Sequence, residues 1–457
     1  MTLEAANADT RAEYTRFLDD HPDIRFIDAV TVDLCGILRG KRYPRNDVHK
    51  LYGAGLALPY TVYLMDVTGD SGDPCGRGFT DGDPDGLCYP IPGSLVTVPW
   101  ANEPRGQVLT TMSEPDGTPS MVDPRNVAAH VLKRFEALKL KPVLAFELEF
   151  YLLESNLDAN GLPQIAVSPV TGKREFTNQV YGITELDSFS SFFDDVERAA
   201  QAQRIPAGVA SSEFAPGQYE INLHHVDDPL LGADHCALLR NLVMKVAAQH
   251  GMRATFMAKP FLEMTGSGMH VHLSLLDRDG QNVFDDGTDA GSVTLRHAIG
   301  GMMETMTDAI GIGSPHTNAY RRFGPNLFVP VSRSWGSNNR SVAFRIPVSD
   351  GRNRRVENRL SAADANPYLV LASMLAGVHH GIVNKIDPGP PATINACDEV
   401  DPSWPTDLSS ALDQTQRSTV LREYLTGDFV DLYCETKRGE LASFNSVITS
   451  REYEWYL

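Results

Sequence analysis

Ionisable side chains crowd onto strand-like runs at four places in this chain, and no other feature narrows its chemistry so far. The runs hold Glu147-Leu148-Glu149, Glu213 with Glu220, His270-Val271-His272, and Arg355-Val356-Glu357-Asn358-Arg359. Strand side chains alternate faces, so residues i and i+2 share one. Acids held side by side repel, and something must keep them together. Divalent cations are the commonest reason, because hard ions such as Mg²⁺ and Mn²⁺ prefer oxygen ligands.

A solvated strand face would show the same alternation. Glu147 and Glu149, however, stand between Val143-Leu144-Ala145-Phe146 and Phe150-Tyr151-Leu152-Leu153. Such a strand is central and buried, and buried carboxylates need a compensating partner. Glu213 and Glu220 are bridged by a Pro216-Gly217 turn that can bring both to one mouth, although hairpins often carry acids. His270 and His272 follow a glycine-rich Gly266-Ser267-Gly268 loop that lets backbone approach a ligand. One histidine there would read as a satisfied core residue; two on one face after such a loop favour a site. Arg321, Arg322, Arg340, Arg345, Arg352, Arg354, Arg355 and Arg359 enrich one quarter of an otherwise acidic chain. Arginine suits bidentate recognition of carboxylate and phosphate. A solvated basic surface is the alternative, but the setting Phe344-Arg345-Ile346-Pro347 turns Arg345 inward.

The 457 residues allow two domains and a large core. A formal net charge of −19 disfavours nucleic acid as partner. It is compatible with a cationic substrate, and equally with solubility alone. None of the six cysteines forms a C-x-x-C pair, and scattered thiols suit a reducing cytosol. Met1 to Asp20 lacks the pattern of a signal peptide, and no run of 18 apolar residues could span a membrane. The expected location is the cytoplasm.

A helix around Arg11 to Leu18, strands at Phe26–Val32 and Leu95–Pro99, and loops rich in Gly, Pro and Asp describe a small β-rich domain over 1–118. The larger domain, 119–457, starts a helix with Asp123 as N-cap and Pro124 in its first turn. Strands are expected at Val143–Leu153, Met269–Leu275, Ser341–Pro347 and Val356–Leu360, and helices at Phe189–Gln203, Pro229–His250 and Asn366–Lys385. Two motifs fail. Gly36-Ile37-Leu38-Arg39-Gly40-Lys41 is one residue short of a phosphate-binding loop, and Asp81-Gly82-Asp83-Pro84-Asp85-Gly86 begins a calcium loop whose twelfth position is Pro92 rather than glutamate.

Taken together, Phe146-Glu147-Leu148-Glu149-Phe150, Gly266-Ser267-Gly268-Met269-His270, Asn318-Ala319-Tyr320-Arg321-Arg322, Asn339-Arg340-Ser341, Arg345-Ile346-Pro347 and Asp364-Ala365-Asn366-Pro367-Tyr368 resemble the glutamine synthetase superfamily, in its order and over nearly the whole chain. Asp33 to Arg42, Glu149 to Leu153 and Trp335 to Arg340 are similar to its γ-glutamylputrescine (polyamine) synthetase branch. The resemblance implies an α+β chain: an N-terminal β-grasp domain and a catalytic α/β domain, assembled as a dodecamer of two hexameric rings. It implies two or three Mg²⁺ or Mn²⁺ ions per active site. Glu149, Glu213 and Glu220 match the ligands of the first, and Glu147, His270 and Glu357 those of the second. His272, Ser274, Arg340, Arg345 and Arg352 match ATP-binding positions, Arg352 replacing a frequent lysine. Gly266, Arg322 and Arg359 match glutamate-binding positions.

Departures from glutamine synthetase bear on the second substrate. Phe328 replaces a flap glutamate that helps bind and deprotonate ammonium, and the Asp-Gly-Ser-Ser ammonium motif is missing near Leu58-Pro59-Tyr60-Thr61. Cys397 falls near a regulatory tyrosine of some members. Pro59, Tyr60, Leu327 and Phe328 would line a roomier, apolar amine pocket, and the acids between Asp66 and Asp85 would attract a cation. The resemblance therefore implies a ligase joining the γ-carboxylate of glutamate to a polyamine through γ-glutamyl phosphate, with Arg340 and Arg345 stabilising the transferred phosphoryl group. A monoamine or ethanolamine is the second expectation, ammonium the third. A catalytically silent relative is disfavoured because every ligand position is filled.

Overall fold

The computed structural model describes every residue except Met1, Thr2, Asp289, Asn326 and Glu399, and residues 3–10 as backbone. Asn326, in the segment leading to Phe328, thus lies outside the described residues. Two sheets carry the fold. The first is built from β1 (Phe26–Val32), β2 (Leu38–Pro44), β3 (Leu56–Pro59), β4 (Asp85–Pro90), β5 (Val96–Thr97) and β6 (Arg105–Ser113). Its order is β2-β1-β6-β4-β3, with β5 also on β6. β1 runs parallel to β6 and antiparallel to β2, a β-grasp-like arrangement. The second holds β7 (Lys141–Glu154), β8 (Ala207–Ser212), β9 (Gln218–Leu223), β10 (Met252–Thr255), β11 (Gly268–Leu276), β12 (Trp335–Ser337), β13 (Phe344–Ile346) and β14 (Val356–Ala362). Its order is β12-β13-β14-β11-β7-β9-β8, with β10 also on β7. With its helices this makes an α+β chain.

The helices begin where their caps say. Asp123 accepts the Arg125 N–H at the head of Pro124–Leu132, and Asp228 accepts those of Leu230 and Leu231 at the head of Pro229–Gln249. Gly251, at φ +71°, allows the chain to turn into β10. Three expectations change. The first helix is longer, Leu3–Asp20. Only Val96–Thr97 of 95–99 pairs as strand. Only Phe344–Ile346 of 341–347 is strand, because the Asn339 side chain accepts the Ser341 N–H and hydroxyl, at 2.9 and 2.7 Å. Side chains that bond nearby backbone compete with sheet pairing, and Pro347 offers no N–H.

One apolar core runs from Ile24 to Cys434 beneath both sheets, so the two parts expected to meet near residue 118 share it. Buried polar groups also cross between them. Arg240 donates to Gly36 O at 2.9 Å and to Ala365 O at 2.6 Å. Asn366 caps Pro367–Asn384 by accepting the N–H groups of Tyr368 and Leu369, while its Nδ2 donates to Asp33 O at 2.8 Å. Losing a cap costs about 0.5–2 kcal/mol, and an unpaired buried carbonyl about 1–3 kcal/mol. Asn366→Ala should therefore destabilise the chain by about 2–4 kcal/mol, read as a lower urea midpoint. An unchanged midpoint would show that the cap and the tie are not needed.

Candidate active site

The second sheet has an apolar face and an ionisable one, and β7 divides them residue by residue. Leu144, Phe146, Leu148 and Phe150 are buried in the core, which leaves Glu147 and Glu149 on the opposite face. Antiparallel register then sets their neighbours. His270 pairs with Glu147, Glu220 with Glu149, and His272 with Glu357. Opposed strand residues have Cβ atoms about 4.5–5.5 Å apart, so the side chains meet.

Glu147 is the hub. Its Oε1 lies 2.8 Å from His272 Nε2 and its Oε2 3.3 Å from His270 Nδ1. Arg355 Nε stands 3.2 Å from His272 Nδ1, and the other ring nitrogen, Nε2, faces Glu147. That contact is close but poorly aligned, and Nε2 has no well-directed hydrogen bond. Glu357, 1% exposed at its side chain, meets Arg345 Nη1 at 3.0 Å and Arg359 Nη1 on its other oxygen. Glu149 accepts the Gly268 N–H at 2.7 Å.

Titration along this face runs in opposite directions. Burial pushes the Glu213 carboxyl up to about 9, helped by the charges of Glu149, Glu220 and Glu147. Burial, Glu147 and Glu149 push Glu220 up to about 7. Burial also acts on Glu357, but Arg359, with His272 and His270, holds it at about 2. Glu147 lies well below the ordinary range because the two histidines outweigh burial. Burial and Arg359 depress His270, yet its hydrogen bond to Glu147 and the charges of Glu149 and Glu357 leave it raised.

Among the described residues two groups of side chains could hold a cation: Glu147 with His272 and Glu357, and Glu147 with Glu220 and His270, the ligand atoms of each group lying within 4.8 Å of one another. Oxygen-rich sets with one imidazole fit Mg²⁺ or Mn²⁺. The grouping differs from expectation. His272, expected at the nucleotide, stands with Glu147 and Glu357; Glu220 stands with Glu147 and His270; Glu149 and Glu213 belong to neither. Glu147, Glu149, Glu220 and Glu357 have each turned to a nearby N–H or cationic donor.

A cavity of about 800 Å³ opens beside the hub, lined by Glu147, Asn222, His272, Ser274, Arg352 and Arg355 among others. Three expected ATP positions thus converge. Arg345 turns instead to Glu357 and Asn338, and Arg340 is exposed but close enough to lower Glu213. The Ser274 hydroxyl already donates to Arg354 O at 2.9 Å. On the other side of the hub, Arg322 is 2% exposed and passes against Gly266. A Cβ on Gly266 would stand 2.6 Å from Arg322 Cγ and 2.8 Å from Ala258 O. Only glycine fits there. Nε of Arg322, Arg345 and Arg359 and Oγ of Ser267 are buried without hydrogen-bond partners, which is uncommon for such groups outside functional sites.

The expected amine pocket fares less well. Tyr60 is buried; its hydroxyl donates to Glu114, and Arg77 stands 5.0 Å over its ring. It is committed inside its own chain rather than free as a pocket wall. Pro59 ends β3, while Leu327 and Phe328 are exposed. The acids of the loop 66–85 are also engaged, most of them within it. Asp66 accepts from Thr68 and Asp70, Asp73 from Thr80, and Asp83 from Thr61. Gln218, missed earlier, donates to Gly266 O at 3.1 Å and points at Glu149. The alternation Gln218, Glu220, Asn222 along β9 was the signal for it.

Residues 121–456 match the glutamine synthetase catalytic domain. The chain belongs to the glutamine synthetase family. It is 40% identical over 447 residues to the γ-glutamylputrescine synthetase of Escherichia coli (strain K12), covering 97% of this chain and 94% of that one. It is 32% identical over 450 residues to a glutamate–isopropylamine ligase of a Pseudomonas species, covering 96% of each. The solved GmaS/ADP complex superposes with a TM-score of 0.82 at 26% identity, over 96% of this chain and 98% of that one.

Metal ligands act deprotonated, so binding competes with protons. Glu213 and Glu220, raised to about 9 and about 7, take up protons as pH falls through those values. Mn²⁺ affinity should therefore rise from pH 6 to pH 9, with proton release. Calorimetry in buffers of different ionisation enthalpy measures both. Equal affinity at pH 6.5 and 8.5 would contradict it.

Proposed function

We propose that this chain is an ATP-dependent ligase that joins the γ-carboxylate of glutamate to a polyamine such as putrescine. The observation that carries the reading is the face of β7, β9, β11 and β14, where four carboxylates and two histidines, joined by Glu213 from the turn after β8, converge beside a nucleotide-sized cavity, in a chain of this family. The relative at 40% identity, which acts on putrescine by name, supports the polyamine.

A γ-carboxylate is a poor acyl donor because oxide would have to leave. Its oxygen therefore attacks the γ-phosphorus of ATP, ADP departs, and γ-glutamyl phosphate forms. The nitrogen of a neutral amine then attacks the acyl carbon, phosphate leaves, and the nitrogen gives up a proton. The nucleotide takes the cavity at His272, Ser274 and Arg352. Arg322, Arg359 and the Gly266 backbone take glutamate. Arg340 and Arg345 meet the charge that develops on the transferred phosphoryl group. Glu149, Glu213 and Glu220, and Glu147, His270 and Glu357, would hold Mg²⁺ or Mn²⁺, two or three per site, whose positive charge would offset that of the phosphates.

We assign the chain to the cytoplasm and to a dodecamer of two hexameric rings. All six cysteines are free thiols, and among the described residues no helix is long and apolar enough to cross a membrane. Phe444, Val447, Ile448, Trp455 and Tyr456 are exposed near the C-terminus, an apolar surface that suits contact with other copies.

Amine choice rests on Leu327 and Phe328, with Pro59 supplied from the N-terminal sheet. The isopropylamine-ligating relative favours a monoamine as the second reading. An alkylamine gains about 0.8 kcal/mol per buried CH₂, hence about 1.6–3 kcal/mol for two to four of them. Ammonium gains nothing from an apolar wall. The test is ATP-dependent phosphate release with glutamate and ammonium, putrescine or isopropylamine. We expect kcat/KM for putrescine to exceed that for ammonium by about tenfold or more, and Phe328→Glu to narrow the ratio. A wild-type preference for ammonium would overturn the reading. An unaltered ratio in the variant would remove only the role of Phe328.

A further inference from the structure

The helix Gly427–Asn445 carries a buried charge that the reaction above does not use. The Lys437 side chain is 0% exposed. Its Nζ lies 2.6 Å from Glu440 Oε2, 3.4 Å from His316 Nδ1 and 3.6 Å from Cys35 Sγ. Glu440 Oε1 is 2.8 Å from the same His316 Nδ1. A ring nitrogen has one proton or one lone pair, so Nδ1 donates to the carboxylate and merely faces the ammonium.

Charge is retained in this cluster. Burial pushes Glu440 up, yet His316 and Lys437 hold it at about 2. Burial pushes the Cys35 thiol up to about 12, so it stays protonated and Glu440 is the counter-ion of Lys437. A buried ion pair is a weak source of stability, since apolar residues of similar volume often serve as well. What it supplies is a directed link between particular segments.

Three segments meet here. Cys35 follows β1. Val67, in the loop 66–85, donates its N–H to Glu440 at 3.5 Å, and Cys75 of that loop donates to Glu435 on the same helix. His316 opens the short turn Thr317–Arg322. That turn is held a second time two residues on, where Asn318 accepts the Lys259 N–H at 2.7 Å and donates to Lys259 O at 2.9 Å. Arg322 ends it, buried beneath Gly266.

We infer that Lys437, through Glu440 and His316, is a positioning residue that sets Arg322 and ties its placement to the loop 66–85. The inference rests on the assignment of Arg322 to glutamate.

Lys437→Met alone would leave Glu440 buried and unpaired, so the informative variant is Lys437→Met/Glu440→Leu. A second, His316→Leu, cuts the link from the turn and keeps the ion pair. In both, amide hydrogen exchange over 317–322 should quicken by about tenfold or more while that of Pro367–Asn384 is unaltered. KM for glutamate should rise about tenfold with KM for ATP within about twofold. Unaltered exchange over 317–322 in either folded variant overturns the inference whatever the enzyme does. An equal rise in both KM values, or quicker exchange with a wild-type glutamate KM, overturns the positioning role. A wild type inactive with every amine would sink the assigned reaction instead, and the exchange measurement would then decide this link alone.

Discussion

Like charge crowded on one face of a sheet is the constraint that the rest of this molecule answers. Carboxylate oxygens of Glu147 and Glu220 lie within 4.8 Å of each other. At an effective dielectric of about 20 two such charges repel by about 3–4 kcal/mol, more than a helix cap contributes. The opposite face offsets this. Leu144, Phe146, Leu148 and Phe150 on β7 and Met269, Val271, Leu273 and Leu275 on β11 are at most 1% exposed. Each large apolar side chain so buried contributes about 1.5–3 kcal/mol. The acids can be held close because their strands are clamped from behind.

What stands beside each acid decides its charge. Glu357 has two guanidinium groups on it and is held at about 2. Glu213 faces other carboxylates from a buried position and is raised to about 9. The face is therefore polarised, with one end where guanidinium groups favour the ionised carboxylate and another where burial and neighbouring acids favour the protonated form. Glu147 lies between, hydrogen-bonded to His270 and in close contact with His272. His270 and His272 share a strand face with Ser274, which lines the cavity beside them. A shift of one residue in β11 would turn all three into the core.

The strand face was legible because its signal is local and periodic. Alternation along 143–153 and 269–275 placed Glu147, Glu149, His270 and His272 on one side, and Asp123 with Pro124 marked a helix start through capping chemistry. What failed depended on partners distant in sequence or on side-chain rotamers. Alternation cannot tell that Glu149 takes the Gly268 N–H while Glu147 gathers both histidines. Nor could it show that Tyr60 turns inward to Glu114, 54 residues away. The acids of the loop 66–85 suggested a field for a cation, but acceptors two to seven residues from their donors form turns first. Gln218 is uncharged, so charge spacing does not mark it, although it lies on the face that Glu220 occupies.

The division between strand and loop also bears on why family membership decides the reaction and not the amine. Groups that would bind cation, nucleotide and glutamate project from paired strands or lie against them, where register and packing hold them within the tolerance that catalysis needs. Phe328 sits outside that frame. It is 64% exposed and has φ +53°, a conformation unfavourable for a bulky side chain. Backbone held in such a region persists where its surroundings impose it, and such places concentrate at functional sites. A loop residue can be exchanged without disturbing the sheet, so amine selection can change while the acyl-phosphate chemistry stays. Two relatives named for putrescine and isopropylamine, each aligned over nearly the whole chain, are what such an arrangement would produce.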